Sequence, residues 1–588
     1  MTHRLLFTLL ALPCIPAAIA QSSPPLEWQR CLGGSVSEGA DFVRATPDGG
    51  WVMAASTQSN NGDVVGQHGL VDIWLVKLSA SGIIAWTRAL GGSDIDNVFG
   101  LEVTGDGGCV VVGQSASSDG DVSGAHGAQD GWVVKVAATG ELEWQRTLGG
   151  TGGDMALDVL VTADGGYAIT GVTASNDGDF SGFHGNQDAW MAKLDAGGST
   201  EWLHVLGGSA WEHPQSIAPT SDGGWILGIT TSSNDGDVVG AHGDKDLWLL
   251  KLDATGTIQW QEAYGGSSAE SFTNAFQTSD GGYILGAMTS SDDGDVVGNH
   301  GDGDYWMVKL GPSGAIQWQK TMGGSFTDLA TELIITSDGG YILNGMTVSD
   351  DGDVVGQHAG VSGYEDFWVV KVSSSGTMLW ARALGGSVED NPHYDNEAWD
   401  TPSTVVPTLD GGCVLAGLTA SSDGDVVGNH GLSDAWAVKL DAAGAIQWQR
   451  PLGGSNNEMA NQVHLAADGG YLFSGYASST NGDVAGNHGA LDAWLVKLGS
   501  DGTGFNEPSS GRLFVAPSPA VDNVRVLTDR DMPGGWIELI DMSGRCALSE
   551  RMMGRATTID VSSLPRGQYM VSLLTPEVKL TRPLVLER

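Results

Sequence analysis

Short apolar runs recur along the chain, each closed by glycine, aspartate or serine, and always in the same order. From Ile258 onward they are Ile258–Tyr264, then runs at about 273–278, 283–288 and 305–310. Gly265-Gly266-Ser267, Asp280-Gly281-Gly282 and Gly311-Pro312-Ser313-Gly314 punctuate them. Runs of this length bounded by turn residues read as β-strands. Asp-Gly-Gly between two such runs is a hairpin signal, because glycine accepts the positive φ that tight turns need. No ten-residue window free of glycine carries a 3.6-residue period, so helical repeats are excluded.

The unit returns eight times. Trp28, Trp86, Trp144, Trp202, Trp260, Trp318, Trp380 and Trp448 mark its period, with spacings of 58 residues five times, then 62, then 68. Four short strands per unit at such a period describe a β-propeller blade. The chain enters on a strand at 27–32 and leaves on one at 493–498, so each strand type occurs eight times only if the first strand completes the last blade. The expectation is an all-β protein: an eight-bladed β-propeller over residues 21–503, its ring closed by the N-terminal strand. Both tryptophan series, the one above and Trp74, Trp132, Trp190, Trp248, Trp306, Trp368, Trp436 and Trp494, are expected between blades as core. The eight lysines three residues after the second series are expected to pair with a repeat aspartate.

Composition divides the chain. Residues 21–511 hold 16 Lys+Arg against 62 Asp+Glu, whereas 512–588 hold 10 against 9. The step predicts a linker at 504–511 and a second domain at 512–588, where alternating apolar positions such as Val524 and Val526 predict a small β-sandwich. So acidic a repeat region repels nucleic acid and anionic membrane surfaces and suits cations. Residues 1–20 read as a secretory signal, with Arg4, an apolar run at 5–12 and Ala18-Ile19-Ala20 before Gln21. Pro13 precedes Cys14 where lipoprotein signals carry Gly or Ala, so no lipid is expected. No later stretch is long and apolar enough for a transmembrane segment. Cys31, Cys109, Cys413 and Cys546 fall at unrelated repeat positions and imply no disulfide framework.

Gly-x-x-Asp-x-Trp-x-Val-Lys-Leu, Leu-Gly-Gly-Ser and Asp-Gly-Gly-Tyr together resemble the bacterial SBBP-type β-propeller repeats, over about 480 residues. That resemblance implies a fold and no catalytic residues. The segment Lys251-Leu252-Asp253-Ala254-Thr255-Gly256 before Trp260 also looks like the tryptophan-docking motif of quinoprotein dehydrogenases. Those enzymes use adjacent cysteines at the quinone, which this chain lacks. In the tail, Val515-Ala516-Pro517-Ser518-Pro519-Ala520, Ile540-Asp541-Met542-Ser543-Gly544-Arg545 and Leu564-Pro565-Arg566-Gly567-Gln568-Tyr569 are similar to the type A sorting domain of the type IX secretion system. Ser518 stands where that family has Asn. The resemblance implies that the type IX secretion machinery is a partner and that the protein becomes extracellular or attached to the cell surface.

The best candidate for chemistry is the acidic loop before each second-series tryptophan. Its carboxylates are Asp119, Asp121 and Asp130; Asp177, Asp179 and Asp188; Asp235, Asp237 and Asp246; Asp293, Asp295 and Asp304; Asp351, Asp353 and Asp366; and Asp423, Asp425 and Asp434. Three carboxylates with nearby carbonyls suit Ca²⁺, which takes six to eight oxygens. The spacing is not that of an EF-hand, and Asn-Asp-Gly is also an ordinary turn former. A histidine five residues after each Gly-Asp reads as a loop anchor, bonded to the Asp before Trp. Departures from the repeat offer ligand-binding candidates: Trp211 and His213 in one connection, and His393, Tyr394, Glu397 and Trp399 in an insertion at 388–402. Both are expected to join successive blades at one end of the ring. The leading reading is a non-enzymatic adhesion or binding module for a glycan or protein. The alternatives are a surface hydrolase or lyase using the insertion, and a quinoprotein-like oxidoreductase.

Overall fold

The computed structural model describes residues 22–358, 364–391, 404–501, 513–516, 523–528, 535–541, 546–552, 556–574 and 579–586. The expected signal at 1–20 and linker at 504–511 lie outside them. The chain forms two compact units, Met1–Asp501 and Gly502–Arg588.

The first unit is a succession of eight antiparallel sheets. The fourth shows the plan: Glu212–Pro219, Trp225–Thr231, Asp246–Leu252 and Ile258–Tyr264, each paired with the next. The hairpin at Asp222-Gly223-Gly224 needs its glycine, since Gly223 sits at φ 84°. There Thr220 N donates to Gly224 O at 2.8 Å and Gly224 N to Asp222 Oδ1 at 3.1 Å. The Trp260 strand therefore ends the sheet begun at Glu212, so the sequence repeat is offset by one strand from the sheet.

The eighth sheet takes its outer strand from the other end of the chain. Leu26–Leu32 pairs with Asp492–Leu498, with Trp28 opposite Lys497 and Leu32 opposite Ala493. The first and eighth sheets also meet along their inner strands. Val43 N donates to Gln462 Oε1 at 3.2 Å and Gln462 Nε2 to Asp41 O at 2.8 Å. Other inner strands repeat this contact: Ala275 N donates to Ser216 Oγ, Leu333 N to Asn274 Oδ1 and Val405 N to Glu332 Oε2. Neighbouring sheets are thus tied by polar side chains where they run closest.

The two tryptophan series behave differently. Trp248 and its equivalents are fully buried. Most of the outer series is half-buried, because the outermost strand lies at the rim. Trp86 and Trp260 donate their indole N–H to Ala138 O and Pro312 O, 52 residues on, and cover the hairpin of the next sheet. All eight repeat lysines are buried, with Nζ 2.7–3.1 Å from an aspartate of the Asp-Gly-Gly hairpin. Lys251 also bonds Leu252 O at 2.7 Å. The Thr220 hydroxyl and this ammonium hold Asp222 down at about 2. Lys251→Met strands that carbonyl, at about 1–2 kcal/mol. At about 1 kcal/mol per degree for a unit of this size, calorimetry should record a melting midpoint 1–2 °C lower.

The second unit has two sheets. One comprises Leu513–Ala516, Asn523–Thr528 and Ala556–Asp560; the other comprises Cys546–Arg551, Trp536–Asp541, Gly567–Leu574 and Lys579–Leu586. Val524, Val526, Ile537, Leu539, Ile559, Val571 and Leu573 form one buried core between them, as the alternation predicted.

Candidate functional site

In an antiparallel meander, successive connections alternate between the two ends of a sheet. The Asp-Gly-Gly hairpins and the turns before each outer strand lie at one end. The Gly-Asp-Val-Val-Gly-x-His loops and the Leu-Gly-Gly-Ser links between sheets lie at the other. That loop end therefore collects the acidic residues, the repeat histidines and Trp211.

Each junction between sheets there is built from the same parts. At the third, Asp188 opens a strand of one sheet and Glu212 opens the next sheet. Both are fully buried. Asp188 Oδ2 accepts His184 N at 2.8 Å and meets His184 Nδ1 at 2.8 Å. Glu212 Oε2 accepts Gly208 N at 2.9 Å, and Oε1 accepts the Thr231 hydroxyl at 2.8 Å. Gly207 lies between the two carboxylates. A Cβ there would come 2.6 Å from Glu212 Oε2 and 3.0 Å from Asp188 Oδ1. The glycine Cα–H thus faces two carboxylate oxygens, a weak contact that the recurring geometry repeats. This is the physical reason for Gly-Gly in the repeat.

One oxygen of each pair is short of a partner. Oδ1 of Asp72, Asp130, Asp188, Asp246, Asp304, Asp366, Asp434 and Asp492 is buried without a hydrogen-bond partner in all eight copies. Burial, then neighbouring carboxylates such as Glu270 and Asp295, pushes the Asp246 carboxyl up to about 6. Burial also takes Asp328 and Asp366 up to about 6 and raises Asp96, Asp130, Asp188, Glu212, Asp304, Asp390 and Asp434.

The three acidic positions of one sequence copy divide between two junctions instead of converging. Asp119, Asp177, Asp235, Asp293, Asp351 and Asp423 cap the Gly-Gly link through Oδ1, accepting the N–H of Ser93, Thr151, Ser209, Ser267, Ser325 and Ser387 at 2.6–2.7 Å. Asp121, Asp179, Asp237, Asp295, Asp353 and Asp425 donate their N–H to the first glycine of the same link. Asp130, Asp188, Asp246, Asp304, Asp366 and Asp434 belong to the following junction. The side chains that meet are therefore Asp188, Glu212 and Asp237, drawn from successive copies. Among the described residues, no three His, Cys, Asp or Glu side chains are placed to enclose a metal ion. The inner-strand carboxylates went unrecognised in the sequence. Their signal is there: an acid follows five residues after the first glycine of every Gly-Gly link, at Glu38, Asp96, Asp154, Glu212, Glu270, Asp328, Asp390 and Glu458.

The histidines anchor loops as expected. Nδ1 lies 2.6–3.1 Å from the buried aspartate in six copies. Trp211 stacks on His213 with ring centroids 5.3 Å apart, and Lys245 Nζ lies 5.5 Å from the Trp211 ring. Burial pushes His213 down to about 4, which keeps it neutral at physiological pH. The insertion is placed differently from the expectation. Asp390–Asn391 and Val405–Pro407 both pair with Cys413–Thr419, so the extra residues interrupt the innermost strand of the seventh sheet instead of linking two sheets. Asp390 is the regular repeat carboxylate. His393, Tyr394, Glu397 and Trp399 lie outside the described residues. Cys31, Cys109 and Cys413 are free and buried, and burial pushes each thiol up to about 12.

A propeller-type repeat unit followed by a two-sheet tail defines the class, an all-β repeat protein carrying a sorting module. Residues 515–587 match the secretion system C-terminal sorting domain family, which makes the chain a cargo of the type IX secretion machinery, exported to the cell surface or extracellular space. No curated protein matches the chain significantly. Similar solved structures include PorZ, an essential bacterial surface component of the type IX secretion system of Porphyromonas gingivalis, at 11% identity over 95% of this chain and 100% of that one, TM-score 0.22. Cobalt-substituted Synechocystis apocarotenoid oxygenase is 13% identical over 75% of this chain and 96% of its own, TM-score 0.36. A Bacteroides caccae protein of unknown function is 12% identical over 58% and 93%, TM-score 0.28. At these TM-scores the likenesses decide neither fold nor function. No helix among the described residues is long and apolar enough to cross a membrane.

Proposed function

We propose that the eight sheets are the blades of one closed propeller and that the exported protein is a binding module, holding an extracellular glycan or protein at its loop end. The observation that carries this reading is the departure from the repeat at Trp211. There an indole stands where the other copies carry Ser37, Ile95, Gly153, Ala269, Thr327, Glu389 and Asn457, stacked on His213 with Lys245 over its ring, at the end where eight braced loops gather. An aromatic face with a cation beside it is a common element of ligand sites, because it offers apolar area at little cost in side-chain entropy.

The test is to screen the mature protein against glycan arrays and extracellular proteins, then repeat any positive interaction with Trp211→Ala and Lys245→Ala. At least a tenfold loss of affinity is expected for Trp211→Ala. Undiminished binding by both variants would remove the loop end as the binding surface.

A further inference from the structure

The repeat histidines do more than brace their loops. A histidine held through Nδ1–H by a carboxylate carries its lone pair on Nε2, the arrangement by which a carboxylate behind an imidazole prepares it as a metal ligand. Here the main-chain N–H of the same histidine bonds the same aspartate oxygen, at 2.8 Å for His184, 2.8 Å for His358 and 2.9 Å for His488, which fixes the ring direction further. Nε2 then points away from the buried aspartate toward the next sheet's loop. It meets Asp237 Oδ2 at 3.8 Å from His184, Asp425 Oδ2 at 3.7 Å from His358 and Asp63 Oδ2 at 3.9 Å from His488. The last pair crosses from the eighth sheet to the first.

These separations are too long for a direct hydrogen bond. They are close to the span of an ion held by one nitrogen and one oxygen. Zn–N and Zn–O distances of about 2.0–2.2 Å at a tetrahedral angle place the two ligand atoms roughly 3.4 Å apart. Both partners are accessible, with side-chain exposure of 31% for His184 and 40% for Asp237, so a small rotation of the aspartate closes the difference.

We propose that His184 with Asp237, His358 with Asp425 and His488 with Asp63 are inter-sheet sites for a borderline divalent transition-metal ion such as Zn²⁺, each completed by water. The imidazole decides the class of ion, because Ca²⁺ takes oxygen donors whereas nitrogen suits Zn²⁺, Cu²⁺ and Ni²⁺. Two protein ligands make an open, weak site. The acidic field of the repeat unit raises the local concentration of cations and favours its filling. The proposal does not depend on the Trp211 reading, and either can fail alone.

Isothermal titration of the mature, chelator-stripped full chain with ZnCl₂ at pH 7.5, and separately with CaCl₂, tests it. Saturable uptake of at least three Zn²⁺ per chain is expected, with Ca²⁺ at least tenfold weaker. Asp63→Asn, Asp237→Asn and Asp425→Asn combined leave every imidazole anchored and should remove three ions from the stoichiometry while the melting midpoint of the metal-free protein holds. A triple histidine variant, His184→Gln with His358→Gln and His488→Gln, should also remove three ions, with some loss of melting midpoint because the loop anchors go with the rings. Absence of saturable uptake, an unchanged stoichiometry in the asparagine variant, or Ca²⁺ binding as tight as Zn²⁺ would each overturn the proposal.

Discussion

Between pH 7.5 and pH 5 protonation of the folded first unit is expected to add about 4 °C to its melting midpoint, against a loss of similar size from the buried His213 and His464. The gain comes from the buried carboxyls at the sheet junctions. Asp246, Asp328 and Asp366 sit near 6 in the folded chain, against an ordinary value of 3.8. The folded state therefore holds protons that the unfolded state releases, and stability grows as pH falls through 6 toward 3.8. Over the stated interval each group contributes about 1.4 kcal/mol, about 4 kcal/mol for the three. At about 1 kcal/mol per degree this gives the predicted shift. The other raised junction carboxyls act in the same direction, and so does relief of the large negative charge. His213 and His464, pushed down by burial to about 4 and about 3, act against them, because only the unfolded chain takes up their protons above pH 5, at about 2 kcal/mol each. The hairpin aspartates act oppositely but lower. Asp48, Asp164, Asp222 and Asp280 lie at about 2, each held down first by the threonine hydroxyl two residues before it. Their contribution is present above 3.8 and is lost as pH falls through 2, so stability should peak near pH 4–5 and drop in stronger acid. Asp246→Asn removes the charge, keeps an acceptor for His242 N and sets an amide toward Glu270. It should raise the midpoint at pH 7.5 by 1–2 °C and lose that advantage by pH 5, where Asp246 is protonated. A constant offset between the variant and the intact protein from pH 7.5 to 5 would mean that Asp246 stays charged in the folded protein.

The fold was legible because its signals are local and repeated. Asp-Gly-Gly, the Trp series and the step in charge at the tail each correspond to a turn, a packed strand or a unit boundary that depends on near neighbours. The pairing of Lys251 with Asp222 could be read because both belong to one copy. The site was less legible for the opposite reason. Asp188, Glu212 and Asp237 meet only because the outer strand of one sheet leads directly to the inner strand of the next, which brings side chains from successive copies together. Reading each copy as a closed set grouped Asp235 and Asp237 with Asp246, when Asp246 faces Gly265 in the following junction. The same offset misplaced the insertion. Counting from Gly385 puts Asp390 in register with Glu212, and the extra residues then come after the next sheet has begun. The binding proposed for the loop end rests on no periodic signal, and Trp211 stands out only as a departure from one.

Deleting residues 22–33 should abolish the soluble monomer or lower its melting midpoint by more than 10 °C. This segment supplies the whole outer strand of the eighth sheet, although 456 residues separate Gln29 from the Ala485 carbonyl it bonds. Its loss uncovers the edge of Asp492–Leu498 and removes two buried side chains, Leu32 from the packing between the first and eighth sheets and Cys31 from that between the seventh and eighth. Leu32 alone is worth about 2–5 kcal/mol by comparison with other leucine truncations in packed cores. Trp494 Nε1 loses Gln29 Oε1 at 2.9 Å, and the hairpin at Gly82 loses the Trp28 ring that covers it. An unpaired strand edge of this length also invites association between molecules, so light scattering should rise as the monomer is lost. A peptide spanning 22–33, added in trans, should restore part of the monomer by pairing with the open edge. A deletion variant that stays monomeric and melts within 2 °C of the intact protein would show that the ring does not depend on this strand for closure. The bonds of Gln462 to Val43 and Asp41, of Glu38 N to Leu491 O and of Ala40 N to Gly475 O would then have to hold the first and eighth sheets together.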